Sequence, residues 1–318
     1  MSLYPYCIRI LGNAHPWRVF RKFAEAVTVS AAMLSSCIAS DFVSSGTSVM
    51  VQFSDERFLV GADSRVFGGG VDPKDADSQC KIVPLGTKMF FVISGRTGAW
   101  DTDRHKPYID ANAAAKQALE KFRSTPNTQT RVRRVLARWV EIMSSEFTEM
   151  FRRDPDGFFV GVPRDNLASA VFAGTTKDGS LVAYTVYIQY YFSPDGQMPK
   201  TSLLPHLKAY IVPWNYDPSA WIWIAGAKDR IGVIEFISGK SDRAAVAQLR
   251  LKQTIASTPH PDVEALTMQF AIQSALDWAI HKEEVGGAVD VLELRKGGSI
   301  HWITVKPNCQ DLQQQHAH

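Results

Sequence analysis

Between Gly46 and Lys81, two short apolar runs flank a polar turn, and this stretch limits the fold more than any other. Val49, Val51 and Phe53 mark alternate positions, with Gln52 and Ser54 between them, and Phe58-Leu59-Val60-Gly61-Ala62 follows the turn Asp55-Glu56-Arg57. Alternation on one side and a short apolar run on the other predict two β-strands joined by a tight turn. Such a hairpin carries Thr47 and Asp63 at its open end. Asp63-Ser64-Arg65, a glycine-rich loop and Lys81 come next. A hydroxyl, a carboxylate, a guanidinium and an ammonium can therefore meet at one sheet edge.

Charge excludes some functions. The 318 residues carry 35 Lys and Arg against 32 Asp and Glu, a net charge of +3. That balance does not call for nucleic acid, and no basic stripe is interleaved with aromatic residues. The densest basic run, Arg131 to Arg138, has Val132, Val135, Leu136 and Trp139 at helical spacing and reads as the solvated face of a helix. Four cysteines give no CxxC motif and no clustered His/Cys set, so neither a metal nor a cofactor is expected. Cys80 and Cys309 lie beyond the N-terminal segment, and the sequence cannot say whether they pair. Cys80, next to Lys81, reads as a small strand residue rather than a reactive thiol. Asp72, Asp75 and Asp77 lack the glutamate a calcium loop requires, and the Gly68-Gly69-Gly70 loop lacks the Gly-Lys-Ser/Thr ending of a phosphate loop.

Residues 1–46 differ from the rest. Arg18, Arg21 and Lys22 precede an apolar, small-residue run from Ala26 to Ile38, ending near Cys37-Ile38-Ala39-Ser40. Basic, then apolar, then small is the order of a secretory signal. Leu34-Ser35-Ser36-Cys37 also resembles a lipoprotein signal. The expectation is an exported protein, periplasmic or extracellular, whose membrane contact comes only through this segment if it is retained. A cytoplasmic protein with a propeptide is the alternative.

Further strands are expected at Lys81–Gly86, Lys88–Ile93, Leu167–Ala173, Leu181–Ile188, Trp221–Ala225, Val289–Arg295 and His301–Val305. Helices are expected at Ala111–Phe122 capped by Asp110, at Thr130–Arg153, around Arg230–Ser238 and Arg243–Ile255, and at Val263–Lys282 capped by Asp262. Tyr190–Ser219 reads either as an extended hairpin or as a surface loop. Strands, two helices, strands, more helices and final strands predict an α+β fold: a four-layer αββα sandwich of two stacked, mainly antiparallel sheets with helices on both outer faces. The domain spans residues 47–305, and residues 306–318 form a polar tail.

Gly46-Thr47-Ser48-Val49, Gly61-Ala62-Asp63-Ser64-Arg65, Gln79-Cys80-Lys81-Ile82 and Ser94-Gly95, in this order, resemble the catalytic β-subunits of the proteasome and, more widely, the N-terminal nucleophile hydrolases. Leu167–Gly174 resembles the central strand of that family, and Gly286–Val291 its closing strand. The resemblance implies a threonine hydrolase that cuts peptide or small amide bonds and frees its own nucleophile by cleavage between Gly46 and Thr47. It implies Thr47 as nucleophile and base, Asp63, Arg65 and Lys81 as the charge network around it, and the Gly95 N–H as oxyanion donor. Arg96, Thr97 and Trp100 are expected to line the substrate pocket, and a homo-oligomer becomes an open expectation. The chain departs from the family at His281–Gly287, where Lys282 and Val285 stand near positions that carry a supporting aspartate and serine. That departure leaves an inactive scaffold, with a binding or assembly role, as the alternative.

Overall fold

Strands buried on both faces need apolar residues at successive positions, and this chain supplies them in short runs. In the computed structural model, residues 43–44, 48–65, 67–68, 80–96, 98–101, 106–125, 128–153, 158, 167–191, 206–213, 221–225, 230–279, 286–306 and 309 are described. All of them lie in one unit of the chain, Ser40–His318.

The strands are β1 (Val43–Ser44), β2 (Val49–Phe53), β3 (Arg57–Ala62), β4 (Phe67–Gly68), β5 (Ile82–Pro84), β6 (Met89–Gly95), β7 (Gly98–Asp101) and β8 (Lys106–Asp110). Two helices follow, α1 (Ala111–Lys121) and α2 (Thr128–Arg153). Then come β9 (Ala168–Thr175), β10 (Leu181–Tyr191), β11 (His206–Pro213) and β12 (Trp221–Ala225). Helices α3 (Arg230–Ser238), α4 (Asp242–Ser257) and α5 (Val263–Trp278) precede the closing pair β13 (Asp290–Arg295) and β14 (Ile300–Thr304).

Two five-stranded sheets result, one in the order β11-β10-β9-β6-β5 and the other β12-β2-β3-β13-β14. Every pairing between neighbours is antiparallel. Side chains alternate between layers as the pleat dictates. In β6, Met89, Phe91 and Ile93 join the core under α1 and α2, while Phe90 and Val92 face the second sheet. In β2, Val49, Val51 and Phe53 face the first sheet, while Met50 packs under α3–α5 with Met268 and Ile272. Three apolar layers therefore separate four layers of structure, and the chain is an αββα sandwich.

The caps expected from sequence are present: the Asp110 side chain accepts from Ala113 N–H and the Asp262 side chain from Ala265 N–H. One expectation is corrected, and two open points are settled. The last helix ends at Trp278 rather than Lys282, with Ala279 as its C-cap. The segment after Tyr190 is the extended hairpin of the two alternatives, because β11 pairs with β10 over eight positions, from Tyr184↔Pro213 to Tyr191↔His206. Beyond β14, Lys306 is 7% exposed and Cys309 is fully buried. Cys80 forms a disulfide with Cys309, the pairing that the sequence left open.

Candidate functional site

The hairpin β2–β3 runs from Val49↔Ala62 to Phe53↔Phe58. Its open end continues one step further, where Asp63 N–H donates to the Ser48 carbonyl at 3.1 Å. That step carries Asp63 past the apolar part of its strand, still fully buried. Lys81 comes from the other sheet, immediately before β5. Its Nζ lies 2.9 Å from Asp63 Oδ1, and the two side chains are 1% and 0% exposed. The ion pair thus bridges the two sheets at one end of the sandwich.

Buried charges need further hydrogen bonds to offset their lost hydration. Asp63 has them. Its Oδ1 also accepts from Ser48 N–H at 3.0 Å, and its Oδ2 from Gly286 N–H at 3.1 Å. Gly286 is held in return, because its carbonyl accepts from both Ser64 N–H and Arg65 N–H, each at 3.1 Å. Arg65 lies directly over this glycine. A Cβ at position 286 would come within 2.5 Å of the guanidinium carbon, so a side chain there would displace it. Three segments, around 48, 81 and 286, converge on the Asp63 carboxylate.

Gly95 ends β6 at the same end of the first sheet, since Ile82 pairs with Val92. The backbone here runs close to its neighbour: a Cβ at 95 would meet the Leu167 carbonyl oxygen at 2.9 Å. The next amide, Arg96 N–H, donates to that same carbonyl at 2.9 Å.

The Arg96 side chain does not join this group. It is 3% exposed, donates from Nη1 to the Phe158 carbonyl at 3.0 Å, and stands 5.8 Å from the centre of the Phe158 ring. An arginine packed this way is a core residue. Trp100 belongs to the two-stranded ribbon β7–β8, where it pairs with Pro107. Gly46, Thr47, Thr97 and the segment 280–285, with Lys282 and Val285, lie outside the described residues. Among the described residues, no group of three or more His, Cys, Asp or Glu could hold a metal ion, and no helix is long and apolar enough to cross a membrane.

Sequence reasoning missed a second buried pair beside the first. Asp290 opens β13 opposite Ala62. Its Oδ2 lies 2.9 Å from Lys306 Nζ, and its Oδ1 accepts from Lys306 N–H at 2.9 Å. Burial pushes the Asp290 carboxyl above the ordinary carboxylate range, the Lys306 ammonium pulls it back down, and the nearby Asp63 charge adds to the upward push. The signal available in the sequence was a lone carboxylate inside the apolar run Val289-Asp290-Val291. Compared with known proteins, the chain matches no family model and no curated sequence.

Proposed function

We propose that this protein is an N-terminal threonine hydrolase that cleaves peptide or small amide bonds after freeing Thr47 by cutting the bond after Gly46. The observation that carries this reading is the buried Asp63–Lys81 pair, whose carboxylate also holds the amide of Ser48, the residue that follows Thr47. A threonine hydroxyl needs a base to act as a nucleophile. An α-amine, titrating at about 7.7–8.0, supplies one on the same residue. The neutral amine takes the hydroxyl proton as Oγ bonds to the substrate carbonyl carbon. The carbonyl π electrons move onto oxygen, and the Gly95 N–H is the donor this reading assigns to stabilise it. Collapse expels the leaving amine with the proton and leaves an ester on Thr47. Water then attacks the ester and gives a proton to the amine, the amine passes it to the departing Thr47 Oγ, and the acid leaves with the threonine hydroxyl and the neutral amine restored. The Lys81 ammonium favours the neutral amine, Asp63 holds that ammonium in place, and Arg65 braces the turn at Gly286.

The disulfide between Cys80 and Cys309 supports the exported setting, because such bridges persist in oxidising compartments. A silent scaffold is the second reading. It is favoured by Lys282 and Val285, which stand where the resemblance implies a supporting aspartate and serine.

The intact mass of the purified protein tests the reading. The expected mature chain begins at Thr47, and Thr47→Ala leaves the chain uncut and without turnover on a peptide and amide panel. An active protein whose N-terminus lies elsewhere overturns the mechanism. An uncut wild type that hydrolyses nothing on the panel favours the scaffold.

A further inference from the structure

Two buried lysine–aspartate pairs stand side by side at one end of the sandwich, and the hydrolytic reading uses only one of them. A buried ion pair is weak evidence for stability, since desolvation offsets much of the attraction. Asp290–Lys306 therefore calls for an account of what its position achieves.

The contacts around it close a ring. Asp63 pairs with Lys81. Lys81 follows Cys80, and Cys80 is bonded to Cys309. Cys309 N–H donates to the Lys306 carbonyl at 3.0 Å. Lys306 grips Asp290 twice, through its ammonium and through its own N–H. Asp290 begins the strand that Gly286 leads into, and Gly286 N–H returns to Asp63. Each link is a hydrogen bond, an ion pair or a covalent bond, and every charged side chain in the ring is at most 7% exposed.

We propose that Asp290 and Lys306 form a positioning pair: by pinning the start of β13 against the Cys309 segment, they hold Gly286 at the height where its N–H fixes the Asp63 carboxylate. The pair touches no reacting atom in this scheme. It acts through Gly286 and Asp63 on Lys81. Its catalytic consequence rests on the hydrolase reading; the positioning itself does not.

Amide hydrogen exchange on the full chain, read at individual residues, decides it. The double variant Asp290→Asn/Lys306→Met removes both charges at similar volume. Exchange at the Ser48 and Gly286 amides, the two that donate to Asp63, is expected to speed up about ten-fold, equivalent to about 1.4 kcal/mol. The Phe91 and Val92 amides, in the middle of the first sheet, should not change. Lys306→Arg, which keeps the charge, should restore slow exchange. Should the double variant not accumulate, Lys306→Gln gives the same readout from a single neutral change. Unchanged exchange at Ser48 and Gly286 overturns the proposal. So does a rise shared equally by Phe91 and Val92, because that marks a merely structural pair. If the wild type turns over substrate, the double variant lowers kcat with KM unchanged. A wild type without turnover sinks the hydrolase reading and leaves the amide result to judge the positioning pair by itself.

Discussion

Glu146 is a carboxylate the fold holds at a cost. It sits on α2 with Oε2 buried and without a hydrogen-bond partner. Burial raises its pKa from 4.5 to about 7, opposed by a backbone hydrogen bond from Asp110 and reinforced by the Asp110 charge. The folded state therefore keeps a proton that the unfolded chain gives up. Stability from this group is complete below about 4.5 and is lost as pH rises through about 7. Glu146→Gln should remove that slope and stabilise the protein at pH ~8 by about 1–2 kcal/mol, a figure reduced for partial solvent screening. Denaturant unfolding at pH ~5 and ~8 checks this, and an equal effect at both values would contradict it. The same scale shows what sequence can reveal of a site. Asp63 and Lys81 could be singled out because each is a charge at the end of an apolar strand. Their meeting follows from the stacking of two sheets, which no local pattern encodes. Ser48 and Gly286 contribute backbone amides, so their residue types carry almost no trace of the task. The core placement of the Arg96 side chain likewise follows from tertiary packing, which nothing in its own stretch of sequence signals.

Elements were legible wherever an interior position had to be apolar. Strands β2, β3, β6 and β9 lie between layers, so both of their faces are buried and their sequences are nearly continuous apolar runs. The ribbon β7–β8 has no such pattern in Gly98-Ala99-Trp100-Asp101 and went unseen. Helix starts followed from Asp110 and Asp262, whereas the end at Trp278 has no glycine to mark it. The hairpin turns offer a sharper test. Gly179, between β9 and β10, has φ +86°, and its carbonyl accepts from Gly297 N–H at 2.8 Å, joining the turns of the two sheets. A Cβ there would meet the Gly297 Cα at 3.1 Å. Gly86, between β5 and β6, has φ +76° and open space around it. Gly86→Ala bears only the left-handed backbone cost, about 1–2 kcal/mol, while Gly179→Ala adds crowding and should cost about 1 kcal/mol more. Melting temperatures of the two variants measured together decide it; equal losses would mean that the junction between the turns yields freely.

At the scale of the whole molecule, the layer order could be read from the succession of strands and helices, but the covalent tie across it could not. Cys80 and Cys309 are 229 residues apart, and two cysteines so distant give no spacing to interpret. Their pairing depends on the end of the chain returning past β14 to the start of β5, which only the assembled sandwich brings about. That return also explains why Lys306 and Cys309 are buried: Lys306 is anchored on Asp290, and Cys309 is held by the bridge. Closing so long a loop restricts the unfolded chain far more than the folded one, so the bridge should stabilise the protein by about 2–5 kcal/mol. Cys80→Ser/Cys309→Ser, and the wild type under reductant, should lose that stability to a similar extent. The comparison separates two contributions. Reductant acts on the bridge alone, whereas the double variant also replaces the buried Cys309 sulfur with a hydroxyl that needs a partner. A somewhat larger loss in the variant than under reductant is therefore expected from calorimetry, and an unchanged melting temperature under reductant, with thiol titration confirming that the bridge has opened, would show that the ion pairs and packed layers hold this end of the sandwich without it.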